Sequence, residues 1–327
     1  MKYGLGKGWM GILFAVLMII TFGFAYNSVQ SNTICLAWQK AFGIEPATMG
    51  IALTVLTLLI IFGGIHRVAK FSSTVVPVMA VIYLLIAVGV VVWNITSLPK
   101  VLLTIVENAF GFNQAAGGVL GVTVIQGIKR GLFSNEAGEG SAPNAAAVAT
   151  VSHPVKQGLI QALGVFTDTL VVCSCTAFII LVSGVDLTAS NGIQLTQDAL
   201  THEIGSIGNP FVAVMIWLFA FSSIIGNYYY GETNVRYIRD SKLGVFVYRL
   251  AVAAMVMVGA VVSLDFAWSF ADITMALLTL CNLAAIVLLS RQAVFLLKDY
   301  RQQKKEGKNP VFTKDKMPEI ADKLEAW

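Results

Sequence analysis

Long runs of apolar residues without any charge alternate with short charged segments along most of this chain. Long uncharged runs cover residues 10–37, 47–65, 71–99 and 206–231. Each run reaches the ~20 residues with which a helix crosses a hydrocarbon core about 30 Å thick. Lipid offers the backbone no hydrogen bonds, so only helices or closed barrels span it, and these runs are too long for barrel strands. The pattern therefore predicts an all-α, multi-pass membrane protein.

The same pattern predicts about eight membrane-spanning helices. Their expected bounds are 9–36, 47–65, 73–95, 117–150, 158–184, 209–231, 244–264 and 269–290. The fourth span is interrupted, and the seventh is the weakest because it contains Arg249, whose side chain we expect to reach toward the headgroups. We predict a transmembrane domain over 1–290 and a charged, solvated cytoplasmic tail over 291–327.

Composition and charge agree with a membrane location and predict an orientation. The chain is 57% hydrophobic and only 12% charged, about half the charged fraction of a soluble domain. If the loops alternate sides, one side collects eighteen of the 22 Lys and Arg residues and the other side two. This bias predicts that both termini are cytoplasmic, in an inner membrane. No basic stripe with interleaved aromatic residues indicates nucleic-acid binding.

The interruption lies at 133–144 and is the strongest candidate for a binding site. Residues 117–140 contain seven glycines, and Pro143 follows, a density that argues against one unbroken helix. A discontinuous helix offers N–H groups to a carboxylate and carbonyls to a cation, which suits a zwitterion. The alternative is a surface loop with its charges in water. Four charged residues within the segment sum to zero, and mutual pairing is plausible: Lys129, Arg130, Glu136 and Glu139.

Asp168 lies near the middle of the next predicted span, about ten residues past Gly158. An isolated carboxylate at that depth either protonates or needs a partner. One interpretation is cation coordination or proton coupling, with a hydroxyl from Thr167 or Thr169. The other is a structural ion pair with Lys129 or Arg130. The residues alone leave both open.

Polar side chains in two further spans could complete such a site. Ser222 and Ser223 are adjacent hydroxyls in an uncharged span and could ligate a hard cation, although bonding to their own helix backbone is the simpler interpretation. The first span carries a row of polar residues that could contact either a substrate or a neighbouring helix: Asn27, Ser28, Gln30, Ser31 and Asn32.

No catalytic constellation is present in the sequence. The three histidines fall in predicted loops, and no Ser/His/Asp set, HExxH motif or phosphate-binding loop can be assembled. The four cysteines lie in apolar spans, where small packing residues are the favoured interpretation. We therefore predict that the protein is not an enzyme and has no cofactor or resident metal. An intramembrane enzyme using Asp168 and Lys129 lacks a nucleophile and ranks last among the alternatives.

The segment 131–142, GLFSNEAGEGSA, resembles the signature of the alanine or glycine:cation symporter family. Supporting matches are DTLVVC from residue 168, FAFSSIIG over 219–226 and the final span with Trp268 and Asp272. The family is similar in fold to the leucine-transporter type, with two inverted five-helix repeats. The resemblance implies that this chain holds core helices three to ten, with the interrupted span as helix six. It also implies that the first two core helices are missing.

The resemblance further implies a function and the residues of its site. The function would be sodium-coupled, or alternatively proton-coupled, symport of alanine or glycine through the lipid bilayer by alternating access. The alternative is a non-transporting fragment, inactive or acting as an assembly partner. Asn227 stands where many members carry Trp, which bears on substrate size. The implied substrate residues are Gln30, Phe133, Ser134, Asn135 and Asn227, and the cation ligands are Ser222, Ser223, Asp168 and Thr169.

Overall fold

The structure is a computed structural model that describes residues 1–63, 65–110 and 117–324, and the side chains of 65–76, 117–123 and 323 are not described. The described part is helical, with no strand. Residues Ile19–Tyr26 of α1 and Asp168–Cys173 of α7 have π-helical hydrogen bonding. The described helices of six or more residues are α1 (Gly8–Phe42), α2 (Pro46–Ile61), α3 (Ile65–Trp93), α4 (Leu98–Ala109), α5 (Gly117–Asn135), α6 (Ser141–Ala146), α7 (Pro154–Ser183), α8 (Ile193–Ile204), α9 (Gly208–Ile238), α10 (Lys242–Val261) and α11 (Leu264–Lys305).

Within the described residues, five helical segments are long and apolar enough to cross a membrane: α1, α7, α8 with α9, α10 and α11. A sixth arises if Pro77–Trp93 and α4 form one span, although they meet at 101°. Helix α2 is apolar but only 16 residues long. The all-α, multi-pass prediction is confirmed, whereas the count of about eight spans stays a prediction.

Helix α1 lies at the centre of the bundle and packs against α9 and α10. Its polar row explains the contact with α10, because Ser31 Oγ donates to Val256 O at 2.7 Å and Asn32 Nδ2 donates to Gly259 O at 3.0 Å. Hydrogen bonds between helices satisfy polar side chains that lipid cannot solvate. For these residues the helix-contact interpretation is therefore confirmed.

Arg249 in α10 finds a partner inside the bundle. Its guanidinium donates to Glu232 of α9 at 3.1 Å and to the Tyr228 hydroxyl at 3.0 Å. An ion pair of this kind compensates a charge that would otherwise be costly in an apolar helix. The charge of Arg249, which made the seventh span the weakest in the sequence, is thus compensated by an ion pair with α9.

The C-terminal segment returns to the bundle after α11, which continues past Arg291 to Lys305. Phe312 N donates to Ser152 O at 2.8 Å, and Ser152 Oγ donates to Pro310 O at 2.9 Å. His153 lies 3.2 Å from the Asp299 carboxylate. Residues 309–317 therefore connect the loop between α6 and α7 to the end of α11. The predicted domain boundary at 290 falls inside α11.

Candidate functional site

The predicted interruption is present, with narrower bounds than 133–144. Helix α5 ends at Asn135 and α6 begins at Ser141, so five residues, 136–140, separate them. Glu136 has a φ of 48°, and Gly140 has a φ of 89°. A Cβ on Gly140 would also lie 2.6 Å from Phe14 Cζ. Glycine is thus needed at 140 for both the left-handed turn and the close approach of α1.

The backbone of the break is held by side chains from its surroundings. Asn282 of α11 donates to Gly138 O at 2.8 Å, and Asn144 donates to Gly140 O at 2.9 Å. Ala137 N donates to Leu132 O at 3.1 Å. Non-helical backbone at membrane depth needs such partners because lipid provides none. The break is therefore a defined structure supported by α11.

The two cations of α5 bind a partner outside the interrupted segment. Asp272 of α11 lies 2.6 Å from Arg130 Nη2 and 3.4 Å from Lys129 Nζ. The Arg130 guanidinium also covers the Trp268 ring at 4.1 Å. Mutual pairing within the segment is therefore wrong for these two cations, and they do not pair with Asp168 either. Asp272 satisfies both cations, and its role was not apparent from the sequence.

The pairing with Asp272 predicts a measurable coupling. Replacing Asp272 by asparagine leaves two cations with one neutral partner, so we expect Asp272→Asn and Arg130→Gln each to lower the thermal unfolding temperature in detergent. Both variants break the same contact. The unfolding temperature of the double variant is therefore expected to fall by less than the sum of the two single decreases. Strict additivity would contradict the pairing.

A cavity of about 330 Å³ opens beside the break, between α1, α5 and α9. Six of the predicted site residues lie on its wall, on three elements far apart in sequence. It is lined by Tyr26, Gln30, Phe133, Ser134, Glu136, Ser222, Ser223, Gly226, Asn227 and Tyr230. Asn227 is buried, and its Nδ2 has no hydrogen-bond partner in the part of the chain that the structure describes.

Ser222 and Ser223 both bond to their own helix, as the simpler interpretation predicted. Their hydroxyls donate to Phe219 O at 2.7 and 3.1 Å. A hydroxyl that donates its proton keeps its oxygen lone pairs. Back-bonding therefore turns the proton away and leaves both oxygens able to ligate a cation, so the two interpretations are compatible.

Of the remaining predicted residues, Asn135 and Asp168 line a neighbouring cavity of about 200 Å³ beside α7, and Thr169 bonds to Asn135. Ser134 Oγ donates to Asp168 Oδ2 at 2.6 Å, and Thr169 Oγ1 donates to Asn135 Oδ1 at 2.6 Å. Asp168 and Thr169 begin the π-helical turn of α7, a distortion that often occurs at functional sites. Ser134 borders both cavities, so the end of α5 joins the two groups of residues.

An aromatic wall, made of Tyr26, Phe133 and Trp268, closes one side of the site. The Phe133 ring lies 4.8 Å from the Tyr26 ring and 4.7 Å from the Trp268 ring, measured between centroids. Sequence reasoning identified Phe133 but missed Tyr26, Glu136 and Tyr230. The position of Glu136 within the signature segment was an available signal for a role beyond charge balance.

Residues 1–314 match the sodium:alanine symporter family. The chain belongs to this family. The match covers the break, both cavities and the aromatic wall. Members of the family are transporters, which confirms the prediction that the protein is not an enzyme, and the family supports sodium as the coupling ion.

Three relatives align with most of the chain. It is 55% identical to the probable sodium/glutamine symporter GlnT of Bacillus subtilis over 96% of its own length and 66% of the relative's. It is 51% identical to the amino-acid carrier protein AlsT of Bacillus subtilis, over 99% of this chain and 69% of the relative. It is 35% identical to the sodium/alanine symporter AgcS of Methanococcus maripaludis, over 94% of this chain and 68% of the relative. The chain thus spans about two thirds of the length of these relatives.

Proposed function

We propose that this chain provides sodium-coupled symport of a small neutral amino acid, alanine or glycine, across the cytoplasmic membrane by alternating access. The observation that carries the proposal is the cavity beside the break, where Gln30, Phe133, Ser134 and Asn227 meet Ser222 and Ser223. Polar groups from three helices converge there against an aromatic wall, which is the usual composition of a small-molecule site. Family membership supports the transport of an amino acid with sodium.

Sodium is proposed to bind to hydroxyl and carboxylate oxygens on two sides of the break. Ser222 and Ser223 offer oxygens from α9, while Asp168 and Thr169 offer oxygens from α7. Hard cations prefer oxygen ligands. Asp168 accepts a hydrogen bond from Ser134, so a cation bound at its carboxylate would affect a residue that also lines the substrate cavity.

The proposed architecture is the leucine-transporter type, with α5 and α6 as the two halves of helix six. Helix α7 would then be helix seven, and α9 would be helix eight. Both termini are proposed to be cytoplasmic, because eighteen of the 22 Lys and Arg residues collect on one side of the eight-span topology.

Equilibrium binding to the purified chain tests the proposal without requiring transport. We expect labelled alanine and glycine to bind in sodium and not in choline, and Phe133→Ala to abolish this binding because it opens the aromatic wall. Ser290→Ala is the matched control, since Ser290 is exposed on α11 and bonds only to its own helix at Val287 O. Binding that is independent of sodium, or absent in both salts, would favour the fragment alternative.

Glutamine is a second candidate substrate, favoured by one observation. Asn227 presents a buried Nδ2 that no described residue accepts from, and such a donor is costly unless it finds an acceptor. The side-chain carbonyl of glutamine is an acceptor of this kind, and the 55% identical relative is named a probable sodium/glutamine symporter.

Asn227→Trp is expected to separate the two substrates. The larger ring fills part of a 330 Å³ cavity and removes the amide donor, so glutamine binding should fall more than tenfold while alanine binding persists. Competition against labelled alanine measures both affinities. Equal losses for the two amino acids would show that Asn227 does not select between them.

A further inference from the structure

Glu139 lies in the middle of the break and is fully buried, with an exposed fraction of 0%. The Tyr26 hydroxyl donates to Glu139 Oε1 at 2.8 Å, while Glu139 Oε2 has no hydrogen-bond partner among the described residues. One neutral hydroxyl is therefore the only hydrogen-bond partner that the described residues offer this carboxyl group. No role for Glu139 follows from either cavity, because it lines neither.

The charges around Glu139 do not favour an ionised carboxylate. The cations nearest along the chain, Lys129 and Arg130, are bound to Asp272. The charged group that acts on Glu139 is Glu136, which has the same sign. An unpaired carboxylate in a dry site costs far more than a carboxyl O–H that lacks an acceptor. The neutral form is therefore favoured in this arrangement.

The elements that pack around the break place no described cation in contact with Glu139. Helix α1 presents Tyr26, and α9 presents Tyr230, which faces Glu136. Helix α11 contacts the glycines of the break with uncharged side chains, Thr279, Asn282 and Leu283, and its Asp272 acts on Tyr26. The described groups that act on Glu139 are thus Tyr26, which is neutral, and Glu136, which is acidic. Met1 and Lys2 line a separate cavity of about 540 Å³ at Gly138 and Gly140, which Glu139 does not border.

We propose that Glu139 is a proton-binding site, separate from the sodium ligands, and that Tyr26 links it to the substrate cavity. In the arrangement shown, the proton is on the Glu139 carboxyl. When the site opens to water, the carboxyl O–H bond breaks and the proton passes to water, leaving a solvated carboxylate. Protonation of Glu139 does not depend on the proposed function, whereas its coupling to transport rests on that function.

Tyr26 is the positioning residue in this scheme. It borders the 330 Å³ cavity, its ring packs on Phe133, and its hydroxyl bonds to Glu139. It also ends the π-helical stretch of α1. Ionisation converts a neutral hydrogen bond into a charge-assisted one, which is roughly twice as strong. The protonation state of Glu139 therefore changes the restraint on a side chain of the cavity wall.

Infrared spectroscopy of the purified chain in lipid at neutral pH tests the assignment through the carboxylic C=O band. We expect a band from a protonated carboxyl that disappears in Glu139→Gln and shifts to higher frequency in Tyr26→Phe, which removes the hydrogen bond but keeps the acid. Glu136→Gln and Glu232→Gln, the latter removing an ion-paired carboxylate of α9, should leave the band intact.

Three outcomes would overturn the proposal. The band could keep its intensity in Glu139→Gln, it could be lost in Glu136→Gln instead, or it could vanish when sodium replaces choline, which would assign the site to sodium. If Glu139→Gln does not fold, an unshifted band in Tyr26→Phe decides against the assignment. The measurement needs no bound amino acid, so failure of the proposed transport function would leave its result unchanged.

Discussion

Replacing Gly259 by alanine is expected to destabilise the bundle by about 1–3 kcal/mol or more. Gly259 is the point where α10 touches α1, and a Cβ there would lie 2.5 Å from both the Cα and the carbonyl oxygen of Ser28. Those atoms are backbone, so they cannot rotate away as a side chain would. The helices must separate, although alanine itself favours a helix by up to about 1 kcal/mol over glycine.

Separation of α1 from α10 also weakens the hydrogen bonds that join them. Ser31 bonds to Val256 O, and Asn32 bonds to Gly259 O and Val262 O, each contributing on the order of 0.6 kcal/mol in a membrane bundle. Steric overlap and lost hydrogen bonds together exceed the gain in helix propensity. The net effect is therefore a loss.

Thermal unfolding in detergent measures this loss, with Gly158→Ala as the matched control. Gly158 is also helical, but a Cβ there would lie more than 4 Å from every atom of the described residues outside its own stretch of helix. We expect the control to match or slightly exceed the unsubstituted chain in stability, and Gly259→Ala to unfold at a clearly lower temperature. Equal unfolding temperatures for the two variants would show that α1 and α10 do not approach this closely.

Much of the fold follows from the local physics of the sequence. Uncharged apolar runs predicted the long helices, and the glycine density of 117–140 predicted the break, because both signals act within a few residues. The bounds of the break were too wide, since Phe133, Ser134 and Asn135 continue α5 as helix. Local glycine content indicates that a helix ends, whereas packing against Phe14 and Asn282 fixes where it ends.

Contacts between distant residues were the part that local patterns could not supply. Arg130 and Asp272 are 142 positions apart, so nothing near Arg130 indicated its partner, and pairing with the adjacent acids was the economical prediction. Likewise, the polar residues of the first span lie on different faces of one helix and have different contacts. Asn32 bonds to α10, while Gln30 borders the cavity, and only the position of the neighbouring helices separates these roles.

Loss of sodium binding is the second large effect, expected when Ser222 and Ser223 are both changed to alanine. Each hydroxyl already donates to Phe219 O, so removing it breaks no contact with another helix. The helix itself gains a better helix former. A structural role therefore predicts unchanged or slightly higher stability without sodium, and only a ligand role predicts a specific change when sodium is added.

The measurement is the rise in unfolding temperature on adding sodium, because an ion that binds only the folded chain stabilises it by mass action. If affinity falls about tenfold or more, the stabilisation by saturating sodium drops by at least about 1.4 kcal/mol. Ser290→Ala, which loses the same kind of back-bond on an exposed face, should retain the full effect. Asp168→Asn should also reduce it if α7 shares the ion. A double variant that retains the sodium effect while Asp168→Asn loses it would assign the ion to α7 alone.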